Sequence, residues 1–264
     1  MFNVLFKTLR DKRFFIVGWA LGLAFLGFLM VVMFPSFNGG QVDQLMASMP
    51  QAMQGLVGDL QDWRELPGYV GSQIFDIRLP IFVSILAILL AVAVSVGEED
   101  KGQLRTLVSL PISRRKIVFA KWLSLVVICF VAALATVIGV ELGVLAINES
   151  LEYMVLVRLG LFTWLLVTAL ASVIMALGLA TGKRSLTTGV AIIVTIGSFL
   201  LTTFAQAVDW LKEYEFLSFF HYFPAVDIAK GIIEWGNAAF YVAVILISLA
   251  VAWIFFPRRD IKSS

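Results

Sequence analysis

Residues 79–97 read LPIFVSILAILLAVAVSVG, a run without one charged side chain, and the chain continues to 116 as EEDKGQLRTLVSLPISRRK. Glu98, Glu99 and Asp100 stand where the apolar run ends, and Arg114, Arg115 and Lys116 where the next begins. An uncharged run of this length crosses a hydrocarbon core of roughly 30 Å as a helix rising about 1.5 Å per residue. Backbone polar groups in lipid must be satisfied within their own segment, and the run lacks the alternation of a barrel strand. The expectation is a membrane-spanning helix followed by a short, densely charged hairpin.

Five more uncharged runs lie outside this one: Phe14–Phe34, Trp122–Val140, Leu159–Gly182, Ser185–Val208 and Trp235–Pro257. With 60% of the 264 residues hydrophobic and 14% charged, the composition is that of a membrane protein. The expected fold class is an all-α integral membrane protein with spans at 14–34, 79–97, 118–140, 159–182, 185–208 and 237–257. Although bases precede the first run as in a signal peptide, it is too long for one and no small-residue cleavage pattern follows, so it reads as a retained helix. Six spans place both termini on one side. If that side is the cytoplasm, segments 1–13, 98–121, 183–184 and 258–264 hold 15 of the 20 Lys and Arg, the asymmetry expected of cytoplasmic loops. The location that follows is the cell membrane, multi-pass. A net charge of +2 conceals this sorting, and no basic patch with interleaved aromatics points to nucleic acid.

Residues 1–13 set Phe2, Leu5, Phe6 and Leu9 at helical spacing with Lys7, Arg10 and Lys12 toward the other side, which fits an interfacial helix or an ordinary basic flank. An external loop, 35–76, carries a helical apolar period from Val42 to Leu60 broken by Pro50 and Gly55, so two short amphipathic helices are expected. Lys183 and Arg184 leave spans four and five as a tight hairpin. Segment 209–236 is aromatic, apolar and punctuated by charges, and reads as short helices dipping into the outer leaflet and broken near Pro224. The whole chain, 1–264, is one transmembrane domain.

Marks of catalysis are sparse. GLATGKRS, residues 178–185, fails as a phosphate loop: its glycines are one residue too close, and Arg184 stands where a magnesium-binding hydroxyl belongs. His221 is the single histidine, which excludes paired-histidine zinc sites and leaves one base for any triad, so no catalytic or metal residue is assigned. Cys129, the single cysteine, reads as a small apolar side chain. Asp76, Arg78, Glu141 and Arg158 flank the spans at the external side, where a ring of ion pairs is expected. Thr and Ser scattered through spans four and five suit helix packing, and the substrate-binding residues are unknown.

In the hairpin, Leu104, Leu107 and Val108 share one face of a short helix that Pro111 ends, and Ser113 is placed to cap the third span. Both charge clusters lie at the ends of their long helices that the macrodipole disfavours. The acids favour the start of the short helix, and pairing with Arg114 and Arg115 across the hairpin is expected. A charged helix held just below the membrane offers a surface to a cytosolic partner.

The order acid pair, glycine, leucines, Pro-x-Ser-Arg and Lys121 in GEEDKGQLRTLVSLPISRRKIVFAK resembles the segment after the second span in permeases of type-2 ATP-binding cassette exporters. KTLRDKRFF, YFPAVDIAKGII and FPRRDI, in that order, are similar to the same family. The resemblance implies one half of a dimeric channel, a second copy or a sister permease as companion, and a coupling helix docked on a separate cytosolic ATPase. Carried over, Glu98, Glu99, Gly102, Leu104, Leu107, Pro111, Ser113 and Arg114, within hairpin 98–117, contact that ATPase, and 209–236 becomes external re-entrant helices. ATP and magnesium then belong to the partner, with no cofactor and no enzymatic activity in this chain. The alternative is a secondary, ion-coupled transporter without an ATPase, disfavoured because matching broken helices and central ionisable residues are missing.

Overall fold

The computed structural model describes residues 2–37, 60–100, 102, 112–205 and 208–259, and among these there is no strand. Among the described residues six helices are long and apolar enough to cross a membrane: Arg13–Ser36, Leu66–Val94, Arg114–Ala146, Tyr153–Thr181, Arg184–Ala205 and Trp235–Arg258. The expected two helices between Val42 and Leu60 fall almost wholly outside the described residues.

Helix α1 (Phe2–Asp11) ends at Lys12, whose φ of −96° and ψ of 5° break the path before α2 (Arg13–Val32) begins. Val4 packs with Ile112, Ile117 and Ala120, and Thr8 is buried too, whereas Phe6 points outward. Of the expected apolar face Leu5 is buried and Leu9 packs against the core, while the burial of Val4 and Thr8 in place of Phe6 turns the face toward the neighbouring helix.

The second span begins thirteen residues before the expected start. A short α3 (Leu66–Tyr69) runs without interruption through a π-helix, Val70–Arg78, into α4 (Leu79–Val94). Pro80 explains the widened turn: in an α-helix its ring would collide with the carbonyl four residues back, and it donates no N–H. Arg78 offers its guanidinium to the Gln73 carbonyl and side-chain oxygen at 2.5 and 2.6 Å. The charges at Asp76 and Arg78 therefore do not end the helix, as hydropathy alone suggests.

Ser95 closes α4, its hydroxyl donating to the Ala91 carbonyl at 2.5 Å, and α5 (Val96–Asp100) departs in a new direction. Beyond the hairpin stand α6 (Arg114–Ala146), α7 (Tyr153–Thr181) and α8 (Arg184–Ala205). The chain then passes through a short α9 (Asp209–Lys212), a tight turn at Glu215–Leu217 and α10 (Ala225–Ala229). Helix α11 (Trp235–Phe255) ends in a 3₁₀ turn, Phe256–Arg258.

Helix α7 is the axis of the bundle, packed against α4, α6 and α11. In its most apolar stretch 72% of residues are buried, against 17% in α2 and in α8, so the latter two leave most of their surface for lipid or a partner. Close approach binds α2 to α6: a Cβ at Gly139 would overlap the Ala24 backbone, so only glycine allows this crossing. Ser84, Ser124 and Thr136 satisfy their hydroxyls on the carbonyl four residues back. These groups serve their own helices.

Candidate functional site: the charged base of the hairpin

The break at Ser95 resolves the electrostatic puzzle of the hairpin. Glu98 and Glu99 lie in the first turn of α5, where the helix dipole favours acids, instead of in the last turn of α4. Each of the three acids then meets a base from a different part of the fold. Lys121, two turns into α6 and fully buried, reaches back so that Nζ lies 2.8 Å from Glu98 Oε2 and 2.7 Å from the Val94 carbonyl. Glu99 pairs with Arg259, which follows α11, and Asp100 with Arg184, which opens α8, at 3.5 Å.

Depth differs among the pairs. Glu98 and Glu99 keep only 13% and 12% of their side chains exposed, whereas Asp100 and Arg184 are open to solvent. Buried charges cost several kcal/mol of desolvation each unless paired and hydrogen-bonded, so the first two pairs decide whether this end of the bundle is stable. The third adds little.

Arg259 does more than neutralise Glu99. One guanidinium nitrogen donates to the carbonyls of Gly178 and Leu179, at 3.3 and 3.0 Å, in the last turn of α7, where Gly178 also accepts the Gly182 N–H at 2.9 Å. Gly182 has a φ of +63°, and a Cβ there would run into the guanidinium, so the position needs glycine for its turn and for the approach of Arg259. Arg114 in turn donates to the Pro257 and Arg259 carbonyls at 3.3 and 2.8 Å. Arg115 lies over the Trp253 ring, 4.9 Å from its centre.

Arg114 and Arg115 thus bind the end of the last span, and the expected pairing with the acids across the hairpin is replaced by pairing with Lys121, Arg259 and Arg184. Among the other residues assigned to the hairpin, Gly102 is exposed in a left-handed turn, φ +69°. Ser113 occupies the cap position of α6, but its hydroxyl makes no capping bond; its carbonyl accepts from Lys116 and Ile117 instead. Leu104, Leu107 and Pro111 lie outside the described residues.

At the opposite end, a cavity of about 290 Å³ gathers Asp76, Glu215, Asp227 and Glu234 with Thr202 and His221. His221 is exposed, with Nδ1 3.4 Å from Glu215 and its ring edge-on to Tyr222. Asp76, Arg78, Glu141 and Arg158 do not form the expected ring: among the described residues no ion pair joins any two of them. Arg78 is committed to Gln73, and one carboxylate oxygen of Glu141 is buried without a hydrogen-bond partner. Between α4 and α8 lies an apolar cleft of about 350 Å³, lined by Ile81, Ile85, Ile88, Ile192, Ile196 and Phe199 among others.

Residues 5–261 match the family described as ABC-2 family transporter protein, nearly the whole of the chain. The chain belongs to the ABC-2 transporter family. None of the curated proteins matches it. With six helices of membrane-spanning length, it is a multi-pass integral membrane permease of the ABC transporter class.

In this ABC-2 permease the residues that hold the hairpin base, Lys121, Arg184 and Arg259, escaped assignment from sequence as partners of the acids. One signal was present. A lysine inside an otherwise apolar span demands an acid within reach, and Glu98 to Asp100 form the acidic cluster flanking that end of the second span. Arg259 carries no such mark, since it reads as one more base of a positive flank.

Proposed function

We propose that this chain is the membrane-spanning permease of an ATP-driven exporter, working beside a second copy of itself or a sister permease. A separate cytosolic ATP-binding cassette subunit binds and hydrolyses ATP with magnesium, and this chain has no enzymatic step of its own. Both termini and the 98–117 hairpin face the cytoplasm, and the protein resides in the cell membrane. Hairpin residues Gly102, Leu104, Leu107, Pro111, Ser113 and Arg114 meet the ATPase, while Glu98 and Glu99 hold the start of that segment. Segment 209–236 forms the external re-entrant element.

The observation that carries this reading is the anchoring of the acids. Glu98, Glu99 and Asp100 are tied to α6, to the tail of α11 and to α8, so a push on the hairpin is delivered to several spans together. A merely solvated turn has no need of such ties. Family membership supports the ATPase partner, and the exposed apolar surface of α2 and α8 supports pairing with another permease.

Co-purification with the Walker-motif protein encoded beside this chain tests the proposal. Leu104→Asp with Leu107→Asp is expected to abolish association and any permease-dependent change in ATP hydrolysis while the chain stays membrane-inserted. Undiminished association of that variant would refute the assignment of the hairpin.

A further inference from the structure

We propose that Arg259 is a positioning residue: it joins the ATPase-facing hairpin to the fourth and sixth spans, so that movement of one is imposed on the others. The proposal rests on the reading of 98–117 as the ATPase contact.

The guanidinium, with 15% of the side chain exposed, bonds Glu99 of α5 through one nitrogen and two carbonyls in the last turn of α7, at Gly178 and Leu179, through the other. Its backbone carbonyl is held by Arg114, the first residue of α6. Four elements therefore meet at one residue: the start of the hairpin, the end of the fourth span, the start of the third and the tail of the sixth. Helix α7 is also the buried axis of the bundle, so a displacement at its end is felt by every helix packed on it.

The chemistry suits arginine alone. Its planar fork presents donors in two directions at fixed angles, whereas lysine is a single rotatable point charge that cannot hold a carboxylate and two carbonyls in one geometry. The two other pairs do not duplicate the connection. Glu98–Lys121 joins α5 to α6 without reaching α7, and Asp100–Arg184 is solvent-exposed and weak.

The test uses the full chain in complex with its co-purifying ATPase and reads labelling rates of single cysteines by a water-soluble maleimide, with and without ATP plus vanadate. Ser113→Cys reports the hairpin and Lys183→Cys the end of the fourth span; both positions are exposed, and the native Cys129 is buried. In the otherwise native chain nucleotide changes both rates. In Arg259→Gln the response at 113 persists while the response at 183 shrinks about tenfold, and Arg259→Lys behaves as Arg259→Gln does.

Gly182→Asn supplies a second route that leaves Arg259 in place. Asparagine tolerates the left-handed turn, but its Cβ displaces the guanidinium from the end of α7, so the same selective loss at 183 is expected. A response at 183 retained in both Arg259→Gln and Gly182→Asn overturns the role of Arg259. Absence of any nucleotide response at 113 in the native chain, or failure of the ATPase to associate, overturns instead the reading of the hairpin on which the proposal stands.

Discussion

The two ends of the bundle handle charge in opposite ways. At the hairpin end each acid of the Glu98–Asp100 cluster has a base of its own, and the three bases come from three different elements. At the far end four carboxylates, Asp76, Glu215, Asp227 and Glu234, face one cavity with a single histidine among them. There Lys230 is spent on Asp62, 2.5 Å away, so it ties α10 to the turn at Leu60–Arg64. Ion pairs between elements fix relative positions, whereas like charges around a cavity supply no such constraint. Among the described residues three ion pairs tie the elements of the first end together, whereas none joins the carboxylates around the cavity to a lysine or arginine.

Substitutions can break this contrast, starting with the largest expected effect. Lys121→Met leaves Glu98 buried without a partner and is expected to cost about 3–5 kcal/mol, seen as a lowered Tm of the detergent-solubilised protein. Adding Glu98→Gln should recover most of it, because the penalty comes from the stranded charge. Arg259→Gln removes a charge-assisted bond and two carbonyl bonds, for a loss of about 2–3 kcal/mol in the same assay.

The far end should respond with the opposite sign. Asp76→Asn relieves a half-buried carboxylate beside other acids and is expected to be neutral or to stabilise by up to about 1 kcal/mol. A marked loss of Tm there would erase the contrast, since it would reveal a partner as strong as Lys121. The smallest change is expected for Asp100→Asn, under about 0.5 kcal/mol, because its pair with Arg184 is exposed and long.

The six apolar helices were legible in the sequence because uncharged runs of that length have few alternatives. The ends of those helices were not. Asp76 and Arg78 mark a boundary on any hydropathy scale, yet the helix begins at Leu66, since the π-helix before Pro80 and the Gln73 contact to Arg78 accommodate the charges. Family kinship was also readable, from the ordered pattern through Lys121. What the hairpin acids hold was not readable, because Arg259 lies 160 positions from Glu99 and no local period links them. Local spacing suggested Arg114 and Arg115 as the partners, and tertiary packing gave those two to the tail of α11 instead.

On the proposed function the hairpin end meets an ATPase and the far end does not. A photo-crosslinking residue in place of Ser113, exposed and free of side-chain capping bonds, tests it in intact membranes, with the same residue in place of the exposed Glu234 as the comparison. A nucleotide-sensitive adduct with the ATP-binding cassette subunit is expected from position 113 and none from position 234. An adduct from 234 alone, or from neither position in cells that contain both subunits, would contradict it.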